Sequence, residues 1–335
     1  MRLALINKVF QHIHVLFYVQ IFVPKWHIYV INAKGAKKRM KIDCVFSGGG
    51  VKAFAFVGAL HSIEKHQLEI ERTAGTSAGA IIASFLAAGY TIREIKKLVD
   101  ELNLQQFLDP PTITKFLPFT KWLFLYFQLG IYKGDQLEQW LYAKLAAKNI
   151  YTFKDIQPNY LKVVVSDLSL GKLVVIPDDL RRIYQINPDD FPISTAVRMS
   201  AGFPYFFMPK QMVGKNNQKS LIVDGGLLSN FPLWIFDKDS STPKRPILGI
   251  KLSGPMQEGI ARTTNNALSM FHALFSTMKL AHDARYISKA KEKNIVFIPV
   301  KDIETVDFKI DTKVKQHLYD LGEKTTETFL KYWPN

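Results

Sequence analysis

The sequence predicts an α/β fold in which a mostly parallel sheet is covered on both faces by helices. Two observations carry that expectation. Short apolar runs recur from residue 41 onward, and stretches with helical periodicity separate several of them. Two of the runs also pass directly into glycine-containing turns that open helix patterns, the kind of passage that parallel α/β folds gather at the carboxyl edge of the sheet.

Taken in order, "IDCVFS" reads as the first strand, and the turn "GGG" leads into a helix from Ala53 to Lys65. "LEIERTAG" reads as the second strand, followed by helices over Ala78–Ala88 and Thr91–Leu102. A helix over Gly134–Ala147 precedes the strands "YLKVVVSDL" and "KLVVIP". Ser194–Ala201 forms a further helix before the strand "SLIVDGG". "PILGIKLS" and "NIVFIP" close the set of strands, with a long helical pattern over Leu268–Lys291 between them. No internal repeat or low-complexity linker interrupts this order, so one domain is expected from about residue 41 to 335.

The first turn admits two readings. Gly48, Gly50 and Ala53 satisfy G-x-G-x-x-[GA], and Glu69 or Glu71 follows at the distance of a ribose-binding acid. A glycine-rich strand-to-helix turn lets backbone N–H groups approach an anion while the helix N-terminus adds partial positive charge. That serves a pyrophosphate, and it serves a transient oxyanion equally well.

The second turn carries a nucleophile pattern. Gly75 to Gly79, "GTSAG", fits G-x-S-x-G between a strand run and a small-residue helix. At such a sharp turn, side chains in place of Gly75 or Gly79 would clash with the neighbouring strand and helix, and Ser77 would be lifted above the sheet with the Ala78 N–H beside it. A serine needs a base to become a useful nucleophile. Asp224 ends the strand "LIVD" and is followed by Gly225 and Gly226, which let the chain turn away, so its carboxylate is expected at the same carboxyl edge as Ser77. The histidines after it, His272, His282 and His317, lie in helix-like segments rather than on a loop after a terminal strand. A Ser77/Asp224 dyad without histidine is therefore the economical reading.

Gly48-Gly49-Gly50-Val51-Lys52, then Gly75 to Gly79, then Asp224-Gly225-Gly226 resemble the ordered signature of patatin-like phospholipases. "GIYKGDQLEQWL", "TFKDI" leading into "VVVSDLSLGK", and "STAVRMSAGFPYFF" extend the resemblance, which runs from about Lys41 to at least Leu252. It implies a three-layer α/β/α fold and cofactor-free, metal-independent hydrolysis of acyl esters in phospholipids or glycerides. It also implies Ser77 as nucleophile, Asp224 as proton acceptor and Gly48, Gly49 and Gly50 as the oxyanion loop, with Lys52 nearby. The usual loop reads G-G-G-x-R-G. Here Lys52 stands for Arg and Ala53 for Gly, which keeps the charge, loses the guanidinium fork and adds one methyl group. Two other classes remain open from the sequence: a non-catalytic lipid- or protein-binding module on the same fold, and a dinucleotide-binding oxidoreductase, which would leave "GTSAG" and "DGG" without a purpose.

Composition narrows the partners. The formal charge is +15, but residues 1–39 contribute seven Lys or Arg and no acid, leaving 37 basic against 29 acidic residues elsewhere. That is basic without a polybasic tail, and no nucleic-acid motif accompanies it. An anionic membrane surface is the expected transient partner, with no obligate protein partner evident. A single cysteine, Cys44, sits in an apolar strand run, so a buried core thiol and a reducing, cytoplasmic location, peripheral at the inner membrane face, are expected. The N-terminal apolar run "VFQHIHVLFYVQIFVP" is short for a span of ~20 apolar residues and lacks a small-residue cleavage site. Residues 1–39 are read as lying upstream of a true start at Met40, as an interfacial anchor or, third, as a secretory signal. Phe107 to Tyr132 holds eight aromatics and three prolines; it is read as core cover or as an apolar cap near 104–133 that meets lipid.

Overall fold

A computed structural model describes residues 39–111, 126–215, 217–236, 245–252, 267–287, 292–300, 303 and 307–334. The N-terminal extension and the middle of the aromatic cap lie outside the described residues. Arg39 to Asn335 make one compact unit.

The strand runs fold as β1 (Met40–Phe46), β2 (Leu68–Thr76), β4 (Leu161–Asp167), β5 (Lys172–Ile176), β8 (Lys219–Asp224), β9 (Ile247–Leu252) and β10 (Ile295–Ile298). Three short strands, β3 (Gly130–Tyr132), β6 (Tyr205–Phe207) and β7 (Lys210–Val213), carry too few residues for a periodic signal. The helices are α1 (Phe54–Lys65), α2 (Ala78–Ala87), α3 (Ile92–Asp100), α4 (Asp135–Ala146), α5 (Ile193–Ser200), α6 (Ala267–Tyr286) and α7 (Thr312–Leu330). α3 begins with a capping box in which Thr91 and Glu94 satisfy each other's backbone N–H groups. Among the described residues no helix is long and apolar enough to cross a membrane.

The main sheet runs β10-β9-β1-β2-β4-β8-β7, with β5 on β4. β10, β9, β1, β2 and β4 are mutually parallel, whereas β5, β7 and β8 pair antiparallel. β1 at the centre is buried on both faces, as a parallel strand between two layers must be. Its alternate residues divide the core. Ile42, Cys44 and Phe46 face the larger cluster with α1, α2, α4 and α5, while Val45 faces a smaller one built on Phe231, Leu233 and Phe236. The layers are unequal in depth.

One feature of the sheet positions the site. β5 pairs with Val163–Asp167 of β4 along one edge. β2 pairs with Leu161–Val164, and β8 with Val165–Asp167. A strand has two edges, so β2 and β8 must share the other one. β2 ends beside Val164 at Thr76, and β8, running the opposite way, ends beside Val165 at Asp224. The two strands meet head-on. Gly225 is the residue at the junction: a Cβ there would touch the Val164 carbonyl and lie 3.1 Å from Thr76 Cγ2.

Candidate active site

Ser77 joins β2 to α2 with φ 55 and ψ −126, a backbone conformation that is costly for a residue with a side chain. The glycines on either side make the turn possible. A Cβ at Gly75 would lie 2.6 Å from the Ala80 nitrogen, and one at Gly79 would lie 2.6 Å from the Phe46 carbonyl oxygen. Ser200, the last residue of α5, holds the turn in place. Its Oγ accepts the Ser77 N–H at 2.9 Å and donates to the Val164 carbonyl at 2.6 Å. Sequence reasoning did not single out Ser200, because a serine at a helix end has no spacing signature.

Asp224 is buried, and burial is the main cause that raises its pKa to about 6. The neighbouring Ser77 side chain, the Gly226 N–H, which donates to the carboxylate at 2.7 Å, and the charge of Lys279 act in the opposite direction. The carboxyl edge was the expected address for Asp224, but β8 is antiparallel. Asp224 reaches Ser77 because β4 continues beyond the end of β2 and β8 returns along that continuation.

The glycine loop follows β1. Gly48 donates its N–H to the Asn230 carbonyl at 2.9 Å, so this donor of the loop is already committed within the fold. Gly48 is required for space instead: a Cβ there would come 2.5 Å from Asn230 Oδ1 and 3.3 Å from Ser77 Cβ. Among the described residues, the N–H groups of Gly49 and Gly50 have no acceptor. Asn230 packs between Gly48 and Gly226, a second residue with no signal in the linear pattern.

Cations gather on the Asp224 side. Lys279 of α6 is partly buried, and desolvation of its ammonium pulls its pKa down to about 8; it lies within electrostatic reach of Asp283, Lys251, Asp224 and Lys52. Lys251 and Asp283 form a buried ion pair. Lys52 is also held below the ordinary lysine range by burial.

On the other side of Ser77 opens an apolar pocket of about 890 Å³ including its mouth. Gly50, Ser77 and Ala78 lie at one end, and its walls include Phe85, Phe107, Trp140 and Phe206. Phe85 and Phe107 both meet Trp140 edge-on, at 5.6 and 5.5 Å between ring centroids. The start of the predicted aromatic cap thus lines the pocket, whereas Tyr126 and Phe127 at its other described end are exposed.

A profile of the patatin-like phospholipase family matches residues 44–237, a stretch that contains the glycine loop, Ser77 and Asp224. The chain belongs to the patatin-like phospholipase family. It is 46% identical over 294 residues to the uncharacterized protein YqhO of Bacillus subtilis, covering 88% of this chain and 99% of that one. An uncharacterized protein of Acanthamoeba polyphaga mimivirus is 30% identical over 298 residues, covering 85% of this chain and 92% of that one. Among solved structures, VipD from Legionella pneumophila superposes with a TM-score of 0.52 at 17% identity, covering 90% of this chain and 69% of that one, which supports the mixed α/β fold.

Within this patatin-like chain, the two departures of the loop fall in different places. Ala53 closes the short turn before α1 in ordinary helical conformation, and its methyl group lines the pocket. Lys52 stands in the Lys279 cluster, outside the apolar lining. The other stretches that carried the resemblance are architectural. Asp109 accepts the Gly134 and Gln136 N–H groups at the start of α4, and Asp155 accepts those of Tyr151 and Thr152. Arg198, fully buried, donates to the carbonyls of Lys133, Gly134 and Met208.

Neither acid of the dinucleotide alternative stands at the glycine turn. Glu69 pairs with Lys41, near the start of β1, and Glu71 forms an ion pair with Lys41 at 2.9 Å, at the opposite end of the strands from the glycines. Cys44 is a buried core thiol, its pKa pushed up by that burial. His317 is exposed on α7, and His272 and His282 lie on α6 with side chains outside those described. Among the described residues no histidine lines the pocket.

Proposed function

We propose that the chain is a lipid acyl hydrolase working through a Ser77/Asp224 dyad, within one hydrolase domain spanning about residues 41–335. The observation that carries this reading is that Ser77, in the wall of a pocket lined almost wholly by carbon, stands close enough to the buried Asp224 for its side chain to lower the carboxyl pKa. The family supports a lipid substrate, and the pocket suits an acyl chain.

In this mechanism Asp224 takes the Ser77 hydroxyl proton as Oγ attacks the ester carbonyl. The Gly49 and Gly50 N–H groups, with the Ala78 N–H at the start of α2, hold the tetrahedral oxyanion. The proton passes to the leaving alcohol oxygen, and an acyl-serine remains. Water then gives its proton to Asp224 and attacks the acyl carbon, releasing the fatty acid and restoring Ser77. With pKa about 6, Asp224 is ionised at neutral pH yet basic enough to accept a proton.

The test compares wild type with Ser77→Ala for labelling by a fluorophosphonate, for hydrolysis of a p-nitrophenyl acyl ester, and for fatty-acid release from phospholipid vesicles. Wild type should label and turn over in each assay, and the variant should do neither. Equal ester turnover in the two proteins would sink the assignment.

A further inference from the structure

α6 is inside out. The exposed positions among its described side chains are Met270, Leu274, Thr277, Met278 and Ala281, and none is charged. Met270, Leu274 and Met278 are 56%, 56% and 46% exposed. Their i, i+4, i+8 spacing puts them in one stripe along the helix, and Thr277 and Ala281 fall in the same stripe. Even Thr277 keeps its polar atom to itself, its Oγ1 donating to the Ala273 carbonyl at 2.8 Å.

The opposite face is where the charge is. Lys279 faces inward, within electrostatic reach of Asp224, and Asp283 is buried against Lys251. Phe275 is buried too, its ring 4.9 Å from that of Phe203, which lines the apolar pocket. An ordinary surface helix does the reverse, with the apolar stripe on the core and the charges in water. In a chain with 22% charged residues, an outer stripe that carries no charge among its described side chains, on a helix that packs against the site, marks an interaction surface.

We propose that the outer face of α6 is the surface by which the protein docks on a lipid bilayer, with Met270, Leu274 and Met278 entering the interface. This rests on the lipid hydrolase reading for the choice of occupant. Such a substrate is presented in a bilayer, and the stripe belongs to the helix whose inner face reaches Asp224 and the pocket wall. The formal charge of +15 adds attraction to anionic headgroups, which brings the stripe to the surface but does not replace its insertion. The apolar pocket then receives an acyl chain from the same surface that α6 contacts.

The experiment uses the full chain and a triple variant, Met270→Ser, Leu274→Ser and Met278→Ser. Co-sedimentation is measured with vesicles of phosphatidylcholine alone and of phosphatidylcholine with phosphatidylglycerol. Turnover of a short-chain p-nitrophenyl ester below its aggregation concentration and circular dichroism report the site and the fold. The variant should keep its spectrum and its soluble-ester kcat/KM within about twofold, yet bind both kinds of vesicle at least roughly tenfold more weakly. A second variant, Leu274→Trp, should bind more tightly and shift its emission to the blue on vesicles. Undiminished vesicle binding by a folded triple variant, with no spectral shift in Leu274→Trp, would overturn the proposal. So would a wild-type dimer that becomes monomeric in the triple variant without binding vesicles, since the stripe would then meet a second copy. Failure of the hydrolase reading would look different: no Ser77 labelling and no soluble-ester turnover, whatever the vesicles do.

Discussion

Ser77 and Asp224 are each held in a state that folding alone would not favour. The positive φ of Ser77 costs about 1–3 kcal/mol and persists because Ser200 and the backbone around Gly75 and Gly79 leave the turn no alternative. Asp224 bears a charge in a buried position. Its folded pKa of about 6 stands above the ordinary 3.8, so the stability it contributes is full below about pH 4 and is lost as pH rises through 6. Asp224→Asn should therefore be more stable than wild type at pH 8, by up to ~3 kcal/mol, with the difference vanishing near pH 4. Urea denaturation at both pH values measures this, and a gap that widens toward low pH would contradict the sign. In the proposed mechanism the same group should set the acid limb of kcat/KM near pH 6 in wild type. Lys279→Met removes a charge that favours the carboxylate, so that limb should move to higher pH, which a pH–rate profile on a soluble ester detects.

At the scale of elements, what mattered most was how closely backbones approach. α1 and α7 cross in contact, with Gly58 and Gly322 at the crossing. A Cβ at Gly58 would lie 2.7 Å from the Glu323 nitrogen, and one at Gly322 would lie 2.8 Å from the Ala55 carbonyl carbon. Helix propensity alone favours alanine at such positions by about 1 kcal/mol. The clash should win: Gly58→Ala or Gly322→Ala should lower stability by about 1–3 kcal/mol, while Ser77 in the folded fraction still reacts with a fluorophosphonate. Thermal melts of either variant check the direction, and an increase in Tm would mean that the helices can separate without cost. The buried strands were legible as apolar runs, down to the four residues of β10, and six of the seven described helices by their periodicity, whereas the 19 residues of α7 were not singled out. β3, β6 and β7 were not read either, because they lie in no aliphatic run and are held by pairing with other strands.

At the scale of the whole molecule, Ser77 and Asp224 could be named from local turn chemistry, since each ends a strand run and is flanked by glycine. Their meeting could not, because it depends on β8 being antiparallel, and strand direction is a property of the sheet rather than of a segment. Ser200, Asn230 and Lys279 were hidden for the same reason: each acts at the site from a different element. The junction of β2 and β8 on one edge of β4 also separates what the site tolerates from what it does not. A Gly-Ser pair inserted beside Gly171, in the exposed turn between β4 and β5, should leave ester turnover within about threefold, because loop length there sets nothing at the site. Deleting one residue from Lys219–Ile222 should abolish it, which the same ester assay reads, and retained turnover would show that β8 can slide. Side chains alternate with a period of two, so a slip of one residue would carry Asp224 to the opposite face of the sheet and leave Ser77 without a base. The head-on junction thus acts as a vernier: the proposed dyad is assembled only when two strands, more than a hundred residues apart in the chain, have stopped at adjacent marks on a third.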